Sequence, residues 1–241
     1  MIVVYHPGGK AAEYSDLALN HYKGCTHGCT YCYAPTALHR DRAEFHASDE
    51  PRKDVLKNLA LDAPHLTGKE VLLSFACDPY CPGEAKHRIT REAVKILHKH
   101  GVGVNILTKS TGALEDLNLF TARPSLSRIG ATLTVWNSKE WEPNAPEVAQ
   151  RIAMLTRFKR HGIRTWASME PVLDPDEALD IMEFTANVVD HYKIGVWNYD
   201  KRARQIDWAS FLDRAEALLQ KLGKSYYIKK DLQAAAGKAL A

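Results

Sequence analysis

Three cysteines fall within eight residues, in the run Gly24-Cys25-Thr26-His27-Gly28-Cys29-Thr30-Tyr31-Cys32. Thiols gathered at Cys-x3-Cys-x2-Cys spacing in a polar loop point to metal binding, since buried structural cysteines behave as small hydrophobes and have no reason to collect there. In an iron–sulfur cubane each iron takes a thiolate, and ferredoxins supply four. Three would leave one iron open to another ligand. Gly24 and Gly28 allow the tight backbone turns such a loop needs. Zinc is the competing reading. Structural zinc sites pair two Cys-x2-Cys units or add histidines; one such unit is present, and His21, His27 or Cys77 would complete a tetrahedron. The other two cysteines, Cys77 and Cys81, share one short loop, and the last 160 residues contain none.

The elements that must position these groups alternate along the chain. Apolar runs of strand length occur at Leu17–Tyr22, Glu70–Ala76, Val104–Leu107, Ile129–Val135, Ile163–Ser168 and Tyr192–Trp197, with a last short one at Tyr226–Ile228. Helical patterns lie between them: Val55–Leu61, from Thr90 to the turn at Gly101, through Leu114, Leu117 and Phe120, from Val148 to Gly162, Asp176–Val189 and Trp208–Leu222. Strands alternating with helices imply parallel strands joined by right-handed crossovers. About six β-α units predict an α/β fold in the form of a partial (β/α)6 TIM-like barrel, a single domain over residues 1–241 with a short Ala-rich C-terminal extension. Chemistry in such folds sits at the C-terminal ends of the strands. The cysteine loop, Cys77 and Asp78, Thr108-Lys109-Ser110, Thr132 and Thr134, Glu170, and Asn198 all fall at such ends.

Composition narrows the setting. Of 241 residues, 45% are hydrophobic and 25% charged, ordinary for a globular protein. No apolar run reaches membrane-spanning length, and the start, Met1–Pro7, lacks the basic region of a secretory signal. The expected location is the cytoplasm, where five cysteines serve metal binding or catalysis rather than disulfides. The formal charge of +3 permits a polyanionic partner without requiring one.

The cysteine spacing, with an aromatic before the third cysteine and a strand before the first, resembles the radical S-adenosylmethionine (SAM) superfamily. The run Asn20–Ala34 is similar, more narrowly, to the spore photoproduct lyase-like branch, also called DNA repair photolyases. Supporting phrases are Asp78-Pro79-Tyr80-x-Pro82-x-Glu84, Thr90-Arg91, Leu107-Thr108-Lys109-Ser110, Glu142-Pro143-x-Ala145-Pro146 and Arg151, so the resemblance covers residues 17–200. It implies a [4Fe–4S] cluster on Cys25, Cys29 and Cys32 whose open iron binds SAM. An electron from an external donor such as flavodoxin or ferredoxin would then cleave SAM to a 5′-deoxyadenosyl radical that abstracts hydrogen from a substrate. It also implies that Tyr31 packs on the adenine, Lys109 pairs with the SAM carboxylate, Thr132 contacts the ribose, and Asp78 faces the methionine end.

In the spore lyase a cysteine returns hydrogen to the product radical. The aligned position here is Phe75, and Cys77 stands two residues later, a substitute donor or simply a SAM contact. Tyr33 matches a tyrosine of that enzyme's hydrogen relay. Two basic runs complete the reading. Lys201, Arg202 and Arg204 follow the sixth strand and are expected at the active mouth, where they would contact phosphates if the substrate is nucleic acid. Arg157, Lys159 and Arg160 end a helix at the opposite face, where they complement its C-terminal dipole. A peptide or small-metabolite substrate is the alternative within the enzyme class, an iron–sulfur or zinc protein with a structural or regulatory site is the alternative outside it, and oligomeric state is not readable from these patterns.

Overall fold

A computed structural model describes residues 2–238. Eight strands form one sheet whose spatial order follows the chain: β1 Val4–Tyr5, β2 Ala18–Leu19, β3 Glu70–Leu73, β4 Gly103–Thr108, β5 Ser127–Thr132, β6 Arg164–Met169, β7 His191–Ile194 and β8 Ser225–Ile228. β1 is antiparallel to β2, and every later pair is parallel. Ten α-helices are described: α1 Ala34–Ala37, α2 Arg42–His46, α3 Val55–Asp62, α4 Glu84–His87, α5 Ile89–Lys99, α6 Leu117–Thr121, α7 Val148–Arg160, α8 Pro175–Thr185, α9 Trp208–Lys221 and α10 Lys230–Ala235. This is an α/β partial barrel. The last short strand proves to be the seventh parallel one, and β1 is added at the other edge. The end of the Ala-rich tail, residues 239–241, lies outside the described residues. Among them, no helix is long and apolar enough to cross a membrane.

Burial explains why these runs form strands. Val71, Leu72 and Leu73, and Val104 and Ile106, are fully buried, as near-continuous apolar strands covered on both faces should be. α7 shows how a helix is fixed to the sheet. Glu147 and Gln150 cap its start reciprocally, Val148, Leu155 and Phe158 are buried, and Gly162 at φ +77° ends the turn. Inside the barrel, Gly130 makes room for Trp166, whose ring would lie 2.3 Å from any Cβ there.

The segment before β2 braces the sheet from within. Lys193 of β7 donates to the carbonyls of Glu13 and Tyr14 at 2.7 and 2.9 Å. The Glu13 carboxylate accepts from the Tyr227 hydroxyl at 3.0 Å and the Lys230 N–H at 2.8 Å. This strap places Gly8, Lys10 and Tyr14 in the wall of the cavity described next.

Candidate active site

Four expected strands end early. The runs through Ala76, Val135 and Trp197 leave the sheet at Leu73, Thr132 and Ile194, and the first covers only Ala18–Leu19. The residues released become loops at the C-terminal strand ends, and these loops enclose a cavity of about 410 Å³. Cys25, Cys29 and Cys32 line it from one side. Tyr31 and Tyr33 flank them; Cys77, Asp78, Lys109 and Thr132 arrive from the ends of β3, β4 and β5. All nine residues expected at the site therefore meet in one space.

The cysteine loop is held from two directions. From α2, Arg42 donates to the carbonyls of Cys29, Thr30 and Cys32, and His46 Nδ1 bonds the Cys25 carbonyl at 2.7 Å. From the segment before α7, the Trp141 carbonyl accepts the Thr30 N–H at 2.8 Å, and Asn144 donates to the carbonyls of His27 and Thr26. The Asp49 carboxylate takes the Thr26 N–H at 2.7 Å and the Gly83 N–H at 2.9 Å, tying the loop to the segment before α4. Gly24 is required: a Cβ would lie 2.4 Å from the Phe45 carbonyl oxygen.

The three thiols are free of disulfides. Burial pushes Cys25 well above the usual thiol range, Cys29 up to about 12, and Cys32 upward as well. As bare groups they stay neutral at physiological pH, so thiolate formation needs cationic metal, the condition an iron–sulfur cluster meets. Among the described residues no three His, Cys, Asp or Glu side chains converge as a single-ion site. Cubane ligands bind different irons and need not converge on one point. The donor set fits the cluster.

Lys109 supplies the second test of fit. Its ammonium lies 5.5 Å from the centre of the Tyr31 ring and makes no hydrogen bond or ion pair with a described residue. Burial disfavours this cation, but the charges around it, Glu142 and Asp78 among them, raise its pKa, so it stays protonated with no direct ion pair and is free to meet a carboxylate ligand. Its backbone is fixed by Asp78, which accepts the Lys109 N–H at 2.6 Å, the Tyr80 N–H at 2.8 Å and the Thr108 hydroxyl. Burial works to raise Asp78, but the His27 imidazole at 3.4 Å and these donated bonds prevail and hold it at about 2. Asp78 thus borders the cavity as a carboxylate already committed to its neighbours.

Tyr31 is anchored by a group that sequence reasoning had noted only as a phrase. Its hydroxyl donates to Glu142, which is fully buried and ion-paired with Arg151, itself fully buried. Arg151 also donates to the carbonyl of Thr132 at 2.9 Å. The pair links the aromatic of the cysteine loop to the end of β5. Thr132 is opposite Ser168 in register, and both reach the cavity.

Cys77 lies 2.8 Å from the Ser74 hydroxyl, and burial pushes its thiol up to about 11. Tyr33 donates to the carbonyl of Phe75 at 2.9 Å, so the two candidate hydrogen carriers sit around the same turn. Cys81 is buried and does not reach the cavity. The far wall was not foreseen as a unit. Lys229 holds both oxygens of Glu170 at 2.9 and 2.8 Å, Tyr14 donates to the same carboxylate, and Asn198 joins it at 3.4 Å. Gly195 permits this, because a Cβ would lie 2.7 Å from the Glu170 carboxyl carbon.

The basic run after β7 divides. Lys201 and Arg204 line an adjoining groove of about 520 Å³ that shares Val196–Tyr199 with the main cavity. Arg202 departs from the expected phosphate role: it is paired to Asp200 and lies 4.8 and 4.5 Å over the rings of Trp141 and Trp197. A cation so engaged holds the loop against the segment that braces the cysteines. Arg157, Lys159 and Arg160 end α7, just before the N-terminal end of β6, and Lys159 pairs there with Asp190.

A profile of the radical SAM superfamily matches residues 19–189. The chain belongs to the radical SAM superfamily, an enzyme family whose members use a [4Fe–4S] cluster and SAM and need a reductant. An uncharacterized protein of Methanocaldococcus jannaschii is 30% identical over 177 residues, covering 70% of this chain; the match covers 62% of that relative's length. Among solved structures, spore photoproduct lyase complexed with dinucleoside spore photoproduct superposes with a TM-score of 0.68 at 11% identity, over 92% of this chain and 78% of that one. SuiB of Streptococcus suis bound to its precursor peptide gives 0.63 at 12% identity, over 91% and 50%. These two share the fold.

Proposed function

We propose that the 410 Å³ cavity is where SAM is cleaved reductively and where a substrate hydrogen is abstracted. The observation carrying this reading is Lys109, an ammonium without a protein partner beside the three cysteines. When bound, a cluster on Cys25, Cys29 and Cys32 supplies the electron for that cleavage. The chain's residues do the rest by holding and orienting. Lys109 binds the SAM carboxylate, Tyr31 packs on the adenine with its hydroxyl fixed by Glu142, and Thr132 contacts the ribose. Asp78 positions the Lys109 backbone at the methionine end. Cys77 and Tyr33, grouped at the Ser74–Phe75 turn, carry hydrogen back to the product.

We further propose a nucleic-acid base as the substrate. The groove beside the cavity presents Lys201 and Arg204, neither paired with a carboxylate of a described residue, and Tyr199, which is 74% exposed at the shared wall. Cations track a phosphate backbone, and an exposed aromatic offers a base a surface to stack on. A base within a duplex would have to be extruded to reach the cavity. The likeness to spore photoproduct lyase agrees with this reading, while that to SuiB keeps a peptide as the second candidate.

The test is deuterium transfer into 5′-deoxyadenosine from deuterated oligonucleotides, run beside deuterated peptides under anaerobic reduction. Binding to single-stranded DNA should weaken with salt through counterion release, and the Lys201→Ala/Arg204→Ala double variant should flatten that slope. Replacing Arg157, Lys159 and Arg160 should leave it unchanged. No binding at low salt would remove nucleic acid and leave the peptide reading.

A further inference from the structure

The five-residue helix α2 touches the backbone of every cluster cysteine. The Cys25 N–H donates to the Phe45 carbonyl at 3.2 Å, and the Cys25 carbonyl meets His46 Nδ1 at 2.7 Å. One guanidinium, Arg42, reaches both other cysteine carbonyls, that of Cys32 at 3.0 Å and that of Cys29, as well as Thr30 between them at 2.7 Å. Asp41 caps the helix by accepting the Glu44 N–H at 2.8 Å. Among the described residues no carboxylate pairs with Arg42; the neighbouring Glu44 is taken by Arg40 at 3.2 Å. The side chain is exposed, so solvent could satisfy it, yet its fork is spent on three carbonyls of the cysteine loop.

That arrangement has two physical consequences. Orphan carbonyls in a loop without regular structure leave its shape to fluctuate, and a rigid planar fork with five N–H donors can fix several at once. The loop is thereby held before any metal arrives. The charge of Arg42 is also left without a carboxylate partner among the described residues, against the backbone of two of the three cysteines. Reduction adds an electron to a cluster, so a neighbouring uncompensated cation favours the reduced form.

We infer that Arg42 is a positioning residue for the cluster: it pre-shapes the cysteine loop through its carbonyls, and it raises the cluster's reduction potential through its charge. Two substitutions separate the parts. Arg42→Gln removes the charge and the fork; Arg42→Lys keeps the charge and loses the fork. The side chain is on the surface of a short helix, so both should fold, and amide exchange in β4 and β5 reports that directly.

In metal-free protein, amide exchange at residues 25–32 should accelerate in both variants while β4 and β5 stay protected. In reconstituted protein, iron release to a chelator should quicken about 10- to 100-fold in both, the usual cost of losing a group that orients metal ligands. In an EPR-monitored redox titration, the midpoint should shift downward in Arg42→Gln and stay near wild type in Arg42→Lys. Unaltered loop exchange and iron release in both variants would overturn the pre-shaping. A midpoint unmoved in Arg42→Gln, or lowered equally in both, would overturn the role of its charge.

Discussion

Replacing Lys109 with methionine keeps the length and apolar stem of the side chain and removes only its ammonium. In the protein without ligand that ammonium has no hydrogen bond or ion pair with a described residue, and its nearest aromatic contact, Tyr31, is 5.5 Å away. Removing it breaks no hydrogen bond; the burial penalty it relieves is offset by losing the attraction of nearby groups, Glu142 and Asp78 among them, which raise its pKa. Lys109→Met should melt close to the wild-type temperature. SAM binding should weaken. A charge-assisted hydrogen bond to a carboxylate is worth about 1.5–3 kcal/mol, or roughly 10- to 150-fold in Kd. Anaerobic isothermal titration of reconstituted protein measures the affinity, and calorimetry of the same sample measures the melting. Lower stability with unchanged SAM affinity would refute the reasoning, because it would make Lys109 a structural cation rather than a ligand.

Other predictions rest on separate parts of the molecule. His21 is buried, and burial lowers its imidazole from 6.5 to about 4. Its neutral form is required, so it contributes about 3 kcal/mol above the unfolded value, lost as pH falls from about 6.5 toward 4. The wild type should weaken over that window and His21→Asn should show a flatter slope, read from urea melts at successive pH values. Gly130→Ala places a Cβ 2.3 Å from the Trp166 ring and should cost roughly 1–3 kcal/mol in the same melts. Arg151→Met strands the buried Glu142 carboxylate and should destabilise by about 3–5 kcal/mol, whereas Arg214→Met, in an exposed pair with Asp176, should change stability by less than about 1 kcal/mol.

How far the sequence carried depends on the range of each interaction. The parallel strands and their order were legible because buried strands read as apolar runs and helices keep their own period. Their upper ends were not: Phe75 and Trp197 are as apolar as the strands they follow, yet they line the site, and Leu133 is a core residue just beyond the end of β5. β1 has only two residues, too few for a pattern. The cysteines, Tyr31 and Lys109 were legible because their spacing is local or follows a strand end. Arg42, His46 and Asp49 act on the loop through backbone atoms, which leave no motif of residue types. Tyr14 meets Glu170 across 156 positions, a contact that only the closed strap creates. The sequence did mark Glu142 and Arg151, as a phrase without a role; their burial as a pair supplies the role.

The central claim is that this chain cleaves SAM with a cluster held by Cys25, Cys29 and Cys32. Its most direct measurement is release of 5′-deoxyadenosine and methionine from anaerobically reconstituted protein reduced with dithionite, beside iron analysis of the same samples. Wild-type protein should hold about four irons and release both products. The Cys25→Ala/Cys29→Ala/Cys32→Ala variant should bind none and release neither. Stoichiometric zinc in place of iron, or product release undiminished in the triple variant, would contradict the account.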